Sequence, residues 1–183
     1  IYFLATDPRT DAERARIQAR DDVYAYGEDY KQRHLWRVPL ATGVPQRVTT
    51  GDFSVASFRL SRDAAPGRIT FHRAPSPLVL DNPRAEVWTM AADGANAVQV
   101  TRNAIEEAEA ELAPDGRTVM FVAGANQKLE PYYSGALFVV PAAGGTPRML
   151  LPDFQYHVDR AAWAPDGRSI FIVANMGVHS EIF

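Results

Sequence analysis

The chain contains no cysteine, which excludes disulfide bonds and thiol chemistry. It also has no excess of positive charge, because its 19 lysines and arginines are outnumbered by 22 aspartates and glutamates, for a net charge of −3. A surface that binds nucleic acid needs clustered basic residues, so the composition argues against a nucleic-acid partner. No apolar run reaches the roughly 18 residues that a membrane-spanning helix needs, so we also expect no membrane partner.

Motifs for catalysis and for cofactor binding are missing as well. The segment Tyr132–Ala136 comes nearest to the Gly-x-Ser-x-Gly turn of a serine hydrolase, but it lacks both flanking glycines. None of the 4 histidines has the His-x-x-x-His spacing that would provide two metal ligands, and no Gly-x-Gly-x-x-Gly or Walker pattern occurs. We therefore predict no catalytic residue, no metal site and no cofactor within this chain.

In their place the chain has an internal repeat. A glycine turn, with arginine directly after the glycine, recurs in the segments Leu60–Arg68, Leu112–Arg117 and Trp163–Arg168. The steps between the turn glycines are 49 and 51 residues, at Gly67, Gly116 and Gly167. Regular self-similarity at about 40–50 residues is typical of β-propellers and other arrays.

The same period is present at other positions. An aromatic residue precedes a small-residue turn in each repeat, with steps of 52 and 50 residues, at Trp36, Trp88 and Phe138. An apolar strand follows each Pro-Asp-Gly-type turn, whose proline and glycine suit the turn of a hairpin. Each period therefore predicts four short antiparallel strands, which is the unit from which propeller blades are built.

We predict an all-β fold, a partial β-propeller of about three and a half four-stranded antiparallel blades with one short helical insertion in the first blade. The chain 1–183 is then a single propeller segment, with strands two to four of the first blade at 1–52, the second blade at 53–103, the third at 104–153 and a partial fourth at 154–183. Closed propellers have about 4–8 blades, so we expect a fragment of a longer protein. The alternative is self-association through open blade edges, in which two copies complete a ring.

The first blade departs from the repeat in one connection. Phe3 and Trp36 are 33 residues apart, whereas the equivalent pair Phe71 and Trp88 is separated by 17. Within this insertion, Thr10 and Glu13 have the spacing of a capping box, which predicts a short helix over 12–20.

Two interpretations of the insertion remain open, because long insertions are often functional but also occur as solvent-exposed excursions. In the functional interpretation the insertion is a lip over the central pore or a contact to a partner domain. Its candidate binding residues are then Tyr24, Tyr26 and Tyr30.

The acidic segment 104–112 gives conflicting signals. Alanine and glutamate favour a helix by propensity, whereas the repeat aligns Leu112 with Trp163 and predicts a strand over 108–112. In a strand, the carboxylates of this segment face a neighbouring blade or the pore, and buried carboxylates need partners. We therefore expect at least one inter-blade ion pair among four residues, Glu109, Glu111, Arg59 and Arg160.

Two sets of residues carry a family resemblance. The segments Ala113–Phe121 and Ala164–Phe171 resemble the WD40-like repeat of TolB-type propellers, with alanine where that motif has serine. The opening of the chain, over Arg20–Val23, His34–Val38 and Arg47–Asp52, resembles the early propeller of the prolyl oligopeptidase family, in its acylaminoacyl- and dipeptidyl-peptidase-like branch.

In that family a propeller covers a C-terminal α/β-hydrolase domain that carries a Ser-Asp-His triad, and it restricts entry to short peptides. The resemblance implies that this chain is a non-catalytic propeller segment of a bacterial serine peptidase, which gates or positions peptide substrate for a hydrolase domain absent from this chain. Two alternatives remain: a TolB-like protein-interaction propeller with no enzymatic domain, or a propeller fused to an amidohydrolase. The compartment, periplasm or cytoplasm, is left open.

Overall fold

The computed structural model describes residues 1–21, 23, 25, 27–61 and 67–183. Its strands form four antiparallel sheets, one after another along the chain. The first sheet contains β1 (Tyr2–Thr6), β2 (Arg33–Arg37) and β3 (Gln46–Arg47). The second contains β4 (Ser54–Leu60), β5 (Arg68–Ala74), β6 (Glu86–Ala91) and β7 (Val98–Gln99). The third contains β8 (Glu107–Leu112), β9 (Thr118–Ala125), β10 (Pro131–Pro141) and β11 (Arg148–Met149), and the fourth contains β12 (His157–Trp163), β13 (Ile170–Met176) and β14 (His179–Ile182).

These sheets confirm the predicted fold class, a partial β-propeller built from antiparallel units of three or four strands. Among the described residues, two helices interrupt the strands: α1 (Asp11–Gln18) between β1 and β2, and a 3₁₀ helix (Val79–Arg84) between β5 and β6. Within the described residues, neither is long and apolar enough to cross a membrane. The division of the chain into blades at the boundaries given above stays a prediction.

The strand registers confirm the repeat. Trp36, Trp88 and Phe138 occupy equivalent places in the third strand of the repeat unit. Each lies opposite an aromatic residue of the preceding strand, Phe3, Phe71 and Phe121 respectively. The strand over 108–112 is also confirmed, because β8 pairs with β9 along its length, and tertiary pairing overrides the helical propensity of its alanines and glutamates.

The Pro-Asp-Gly turns join the first and second strands of a unit as predicted. The N–H of Gly116 donates to the carbonyl of Ala113 at 2.8 Å, and that of Gly167 donates to Ala164 at 2.9 Å. Both glycines have positive φ, 71° and 66°, which a residue with a side chain adopts only at a cost. The corresponding turn of the second sheet, at 62–66, lies outside the described residues.

The apolar core lies between the sheets rather than within any one of them. Three clusters of buried residues fill the three junctions between neighbouring sheets. In β9, Val119 and Phe121 belong to the cluster shared with the second sheet, whereas Met120 and Val122 belong to the cluster shared with the fourth. Successive side chains of a strand point to opposite faces, so both faces of this central sheet are apolar and both need a neighbour.

Strand β8 contacts β4 of the second sheet and β12 of the fourth, and we call the edge of the arc of sheets that these three strands form the inner edge. Each has a register shift of the kind that a β-bulge produces. In β8 the shift includes Glu109, whose φ of 55° is uncommon for a residue other than glycine. A bulge can re-aim a side chain, and here it directs Glu109 towards the second sheet.

The predicted inter-blade ion pair is confirmed between the second and third sheets, and hydrogen bonds connect it to the fourth. Arg59 of β4 pairs with Glu109, and its Nη1 lies 3.3 Å from Oε2 of Glu111 in β8. The same Glu111 oxygen accepts the backbone N–H of Trp163 in β12 at 3.2 Å, and the Glu111 carbonyl accepts the indole N–H at 3.2 Å. Arg160 takes no part, since its Nε is 3.9 Å from Asp159 of its own strand and its side chain is 74% exposed.

Replacing Glu111 with alanine removes one of the two carboxylates that hold Arg59 and the acceptor for the Trp163 amide. We expect the free energy of unfolding to fall by about 1–3 kcal/mol, because the Trp163 amide is left without its acceptor and Arg59 keeps only the carboxylate of Glu109. Urea unfolding measures this change. The control is Glu106→Ala, an exposed glutamate close by, for which we expect a change below about 0.5 kcal/mol. Similar small changes in both variants would contradict a structural role for Glu111.

Candidate functional site

The connections between strands fall on two ends of the arc. The Pro-Asp-Gly turns lie at one end, and we call the opposite end the upper face. The upper face carries the connections between second and third strands, at 7–32, 75–85 and 126–130, and the connections between sheets, at 48–53, 100–106 and 150–156. The second-to-third connections differ greatly in length, whereas the turns at the other end repeat. Binding residues are commonly found on variable loops held by a regular scaffold, so the upper face is the place to look for a site.

The insertion of the first blade forms part of the upper face. Its helix α1 begins with the predicted capping box, in which Thr10 Oγ1 accepts the N–H of Glu13 at 3.2 Å and the Glu13 carboxylate accepts that of Thr10 at 2.5 Å. None of the helix residues is buried. Gln32, at the end of the insertion, donates to Asp52 at 2.9 Å and to the carbonyl of Pro75 at 3.1 Å, which fixes the insertion against the second sheet.

A cavity of about 610 Å³ is lined almost entirely by residues of the insertion itself, and Tyr30 is one of them. Two ion pairs lie among its lining residues: Lys31 is 2.8 Å from Glu13, and Arg16 is 3.0 Å from Asp21. Lys31 and the helix cap lower the pKa of Glu13 to about 2, so its charge is permanent near neutral pH.

Of the three tyrosines proposed from the sequence, the structure places only Tyr30, which is 41% exposed at this cavity. Tyr24 and Tyr26 lie outside the described residues. A role in binding stays a prediction for all three.

A second feature of the upper face lies between the third and fourth sheets. Four aromatic side chains surround a cavity of about 490 Å³, and we call them the aromatic cleft: Tyr132, Tyr133, Phe154 and Tyr156. The ring centroids of Tyr132 and Tyr133 are 4.4 Å apart, and those of Phe154 and Tyr156 are 5.6 Å apart. Tyr133 is 87% exposed, so its ring is available to a partner.

The local backbone explains how two adjacent tyrosines come to project from the sheet. The register of β10 against β9 is interrupted between Pro131 and Ala136, so the intervening residues leave the regular ladder. The N–H of Gly135 donates to Nδ1 of His157 in the fourth sheet at 2.8 Å. A Cβ at position 135 would lie 2.4 Å from the carbonyl oxygen of Val158, so only glycine allows this close approach of the two sheets.

A buried carboxyl group lies where the upper ends of the second and third sheets meet. Glu107 is 5% exposed, and it accepts hydrogen bonds from Thr101 Oγ1 at 2.6 Å and from Asn103 Nδ2 at 2.7 Å. The backbone N–H of Asn103 donates to Glu86 at 2.8 Å, which brings a second carboxylate to the same cluster. Burial, together with the charge of Glu86, raises the pKa of Glu107 to about 7. Because Glu107 is closed to solvent, it joins two sheets rather than serving a ligand.

One hydroxyl–imidazole pair has the composition of a nucleophilic site but not its arrangement. The hydroxyl of Ser57 lies 2.8 Å from Nδ1 of the buried His72. Burial and the nearby Arg59 lower the pKa of His72 to about 4, and its Nε2 has no hydrogen-bond partner within the described structure. A catalytic imidazole needs a third group that orients it, so this pair is structural. Among the described residues, no group of three or more histidine, aspartate or glutamate side chains could hold a metal ion.

Three comparisons place the chain among known proteins. No family model matches it. A curated protein of Bacillus subtilis (strain 168), the uncharacterized peptidase YuxL, is 26% identical over 102 residues, which are 56% of this chain and 15% of that protein. The crystal structure of TolB from Acinetobacter baumannii matches with a TM-score of 0.59 at 18% identity, over 82% of this chain and 34% of that one. The chain spans well under half the length of either protein.

The chain is therefore a partial β-propeller with a TolB-like fold. It also has a weak sequence similarity to a curated peptidase. The more specific assignment, to the acylaminoacyl- and dipeptidyl-peptidase-like branch of the prolyl oligopeptidase family, stays a prediction.

The ionisation of Glu107 has a measurable consequence. Its pKa is about 7 in the folded chain and close to the ordinary value of 4.5 in the unfolded chain. Between these values the folded state binds more protons than the unfolded state, so stability falls as the pH rises from 4.5 through 7. Glutamine is uncharged at every pH, so we expect the stability of Glu107→Gln not to decrease in this way over this pH range. Above pH 7 the variant should be more stable than the wild type by about 1–3 kcal/mol.

Urea unfolding at pH 5 and pH 8 measures the effect, and the difference between variant and wild type cancels the titration of other groups such as His72. Glu106→Gln, the exposed neighbour, is the matched control and keeps the wild-type profile. Parallel pH profiles for Glu107→Gln and the wild type would contradict the raised pKa.

Proposed function

We propose that this chain is a non-catalytic propeller segment that gates or positions peptide substrate for the hydrolase domain of a prolyl-oligopeptidase-type serine peptidase. The similarity to a curated peptidase over 102 residues, in a chain that folds as a propeller, is the observation that carries the proposal. The early strands add support, because two of the three segments that resemble the peptidase family, His34–Val38 and Arg47–Asp52, lie along the last two strands of the first sheet and at its junction with the second.

A gate that selects peptides by size needs a fixed inner edge. In this chain the inner strands β4, β8 and β12 are connected by Arg59, Glu109, Glu111 and Trp163, which span three sheets. These contacts oppose the separation of neighbouring sheets, and separation is the motion that would widen a pore. The network therefore supplies the rigidity that a size filter requires.

A second candidate function is that of a TolB-like interaction propeller with no enzymatic domain. The structural match to TolB, over 82% of this chain, favours it. The two candidates differ in what the coding sequence contains after Phe183. A Gly-x-Ser-x-Gly motif with downstream aspartate and histidine supports the peptidase, whereas a stop codon after a few more blades supports the interaction module.

The isolated chain should not cleave aminoacyl or acyl-peptide reporter substrates, because no nucleophile with an oriented base occurs among the residues that the structure describes. Turnover that persists through repurification and co-elutes with the chain would contradict the non-catalytic assignment.

The gating role is tested in the full-length protein with Arg59→Met. We expect this variant to raise kcat/KM for long peptides about three- to tenfold relative to short ones, because loss of the ion pairs loosens the inner edge. Arg160→Met is the matched control, since Arg160 lies on the equivalent strand of the fourth sheet but makes no inter-sheet ion pair with any other residue that the structure describes. An unchanged ratio of long to short substrates in Arg59→Met would contradict gating by this edge.

A further inference from the structure

We propose that the aromatic cleft between the third and fourth sheets binds a polypeptide segment through an arginine or lysine side chain, which stacks on the exposed tyrosine rings. This inference goes beyond the proposed function, because binding to the cleft can be measured on this chain alone and needs no hydrolase domain.

The shape of the surface around the tyrosine pair suits an extended ligand. The Tyr132–Tyr133 pair separates two cavities, each of about 490 Å³, that open on the upper face. The cavity on the side of the fourth-sheet loop is the aromatic cleft, and the other lies between the ends of β8 and β12. A pair of rings standing between two cavities can be covered by an extended segment that places side chains on both sides.

The charged residues around the tyrosine pair favour a cationic ligand. The aromatic cleft is lined by one carboxylate, that of Asp153, and the cavity on the other side by two, those of Glu106 and Asp159. Within the described part of the chain, no lysine or arginine lines either cavity. Arg160 lies 3.9 Å from Asp159, but its side chain extends into solvent. The surface around the tyrosine pair is therefore acidic, and it complements a cation rather than a neutral or acidic partner.

The aromatic rings of the cleft also favour a cationic side chain. A guanidinium or ammonium group is attracted to the face of an aromatic ring, and several rings together recognise such groups selectively. A tyrosine phenol is uncharged near neutral pH, so both rings keep their hydroxyls, and the Tyr133 hydroxyl raises the pKa of Tyr132 further.

The chain itself uses this interaction at another junction. Between the first and second sheets, the Arg73 guanidinium lies 4.1 Å from the ring centroid of Phe53 and 4.7 Å from that of Trp88. Among the described residues, cation–ring contacts of this kind occur at that junction and none occurs in the aromatic cleft. The exposed rings of the cleft thus lack the internal partner that covers the rings of the earlier junction.

The test measures the binding of a fluorescent hexapeptide with blocked ends that carries two arginines among alanines and serines. The same peptide with citrulline in place of arginine keeps the shape and removes the charge. We expect the arginine peptide to bind at least about tenfold more tightly than the citrulline peptide. Equal affinities, or no binding of the arginine peptide, would overturn the proposal, and so would tighter binding of a matched glutamate peptide.

Variants of the cleft locate the binding. We expect the double variant Tyr132→Ala/Tyr133→Ala to weaken binding of the arginine peptide about tenfold, and Asp153→Asn to weaken it several-fold. Tyr133→Phe keeps the ring and should bind like the wild type. Leu80→Ala is the control, since Leu80 is an apolar residue of the same face, 84% exposed, outside the cleft. Wild-type affinity in the double variant, with folding checked by circular dichroism, would overturn the assignment to this cleft.

Discussion

The structure depends on contact between sheets, because no sheet in this chain can bury both of its faces alone. In β9 the alternation of Val119 and Phe121 with Met120 and Val122 makes both faces of the third sheet apolar. The hydrophobic effect then drives each sheet onto its neighbours without specifying how closely or at what angle they meet. The ion pair of Glu111 with Arg59 and its hydrogen bonds with Trp163 fix the relative position of the sheets, since they join three inner strands through one carboxylate and one carbonyl group.

Much of this arrangement could be predicted from the sequence, because each unit of a repeated fold needs similar residues at equivalent positions. The spacing of Trp36, Trp88 and Phe138 predicted their equivalence, and the alignment of Leu112 with Trp163 predicted a strand where propensity favours a helix. The alignment also predicted an ion pair between sheets, but it could not choose between Arg59 and Arg160. That choice depends on the bulge at Glu109, whose left-handed backbone follows from the tertiary packing and has no signature in the sequence.

The candidate site was harder to predict than the fold. The distance from Phe121 to Phe138 equals that from Phe71 to Trp88, so residue spacing gives no sign that β10 leaves its ladder before Ala136. The signal in the sequence is the pair Tyr132–Tyr133 two residues before Gly135, but the motif that this segment comes nearest to is an incomplete nucleophile turn. Function in such a fold is expected where the repeats differ, and the upper face is where they differ most, through the insertion of the first blade and the aromatic cleft.

Native-state hydrogen exchange in a Glu111→Gln variant tests the dependence on inter-sheet contact most directly. If the inner edge is held together through this residue, the opening free energies of amides in β4, β8 and β12 should all decrease by similar amounts, including that of the Trp163 amide, although two of these strands belong to other sheets. A decrease confined to β8, with β4 and β12 as protected as in the wild type, would contradict the account.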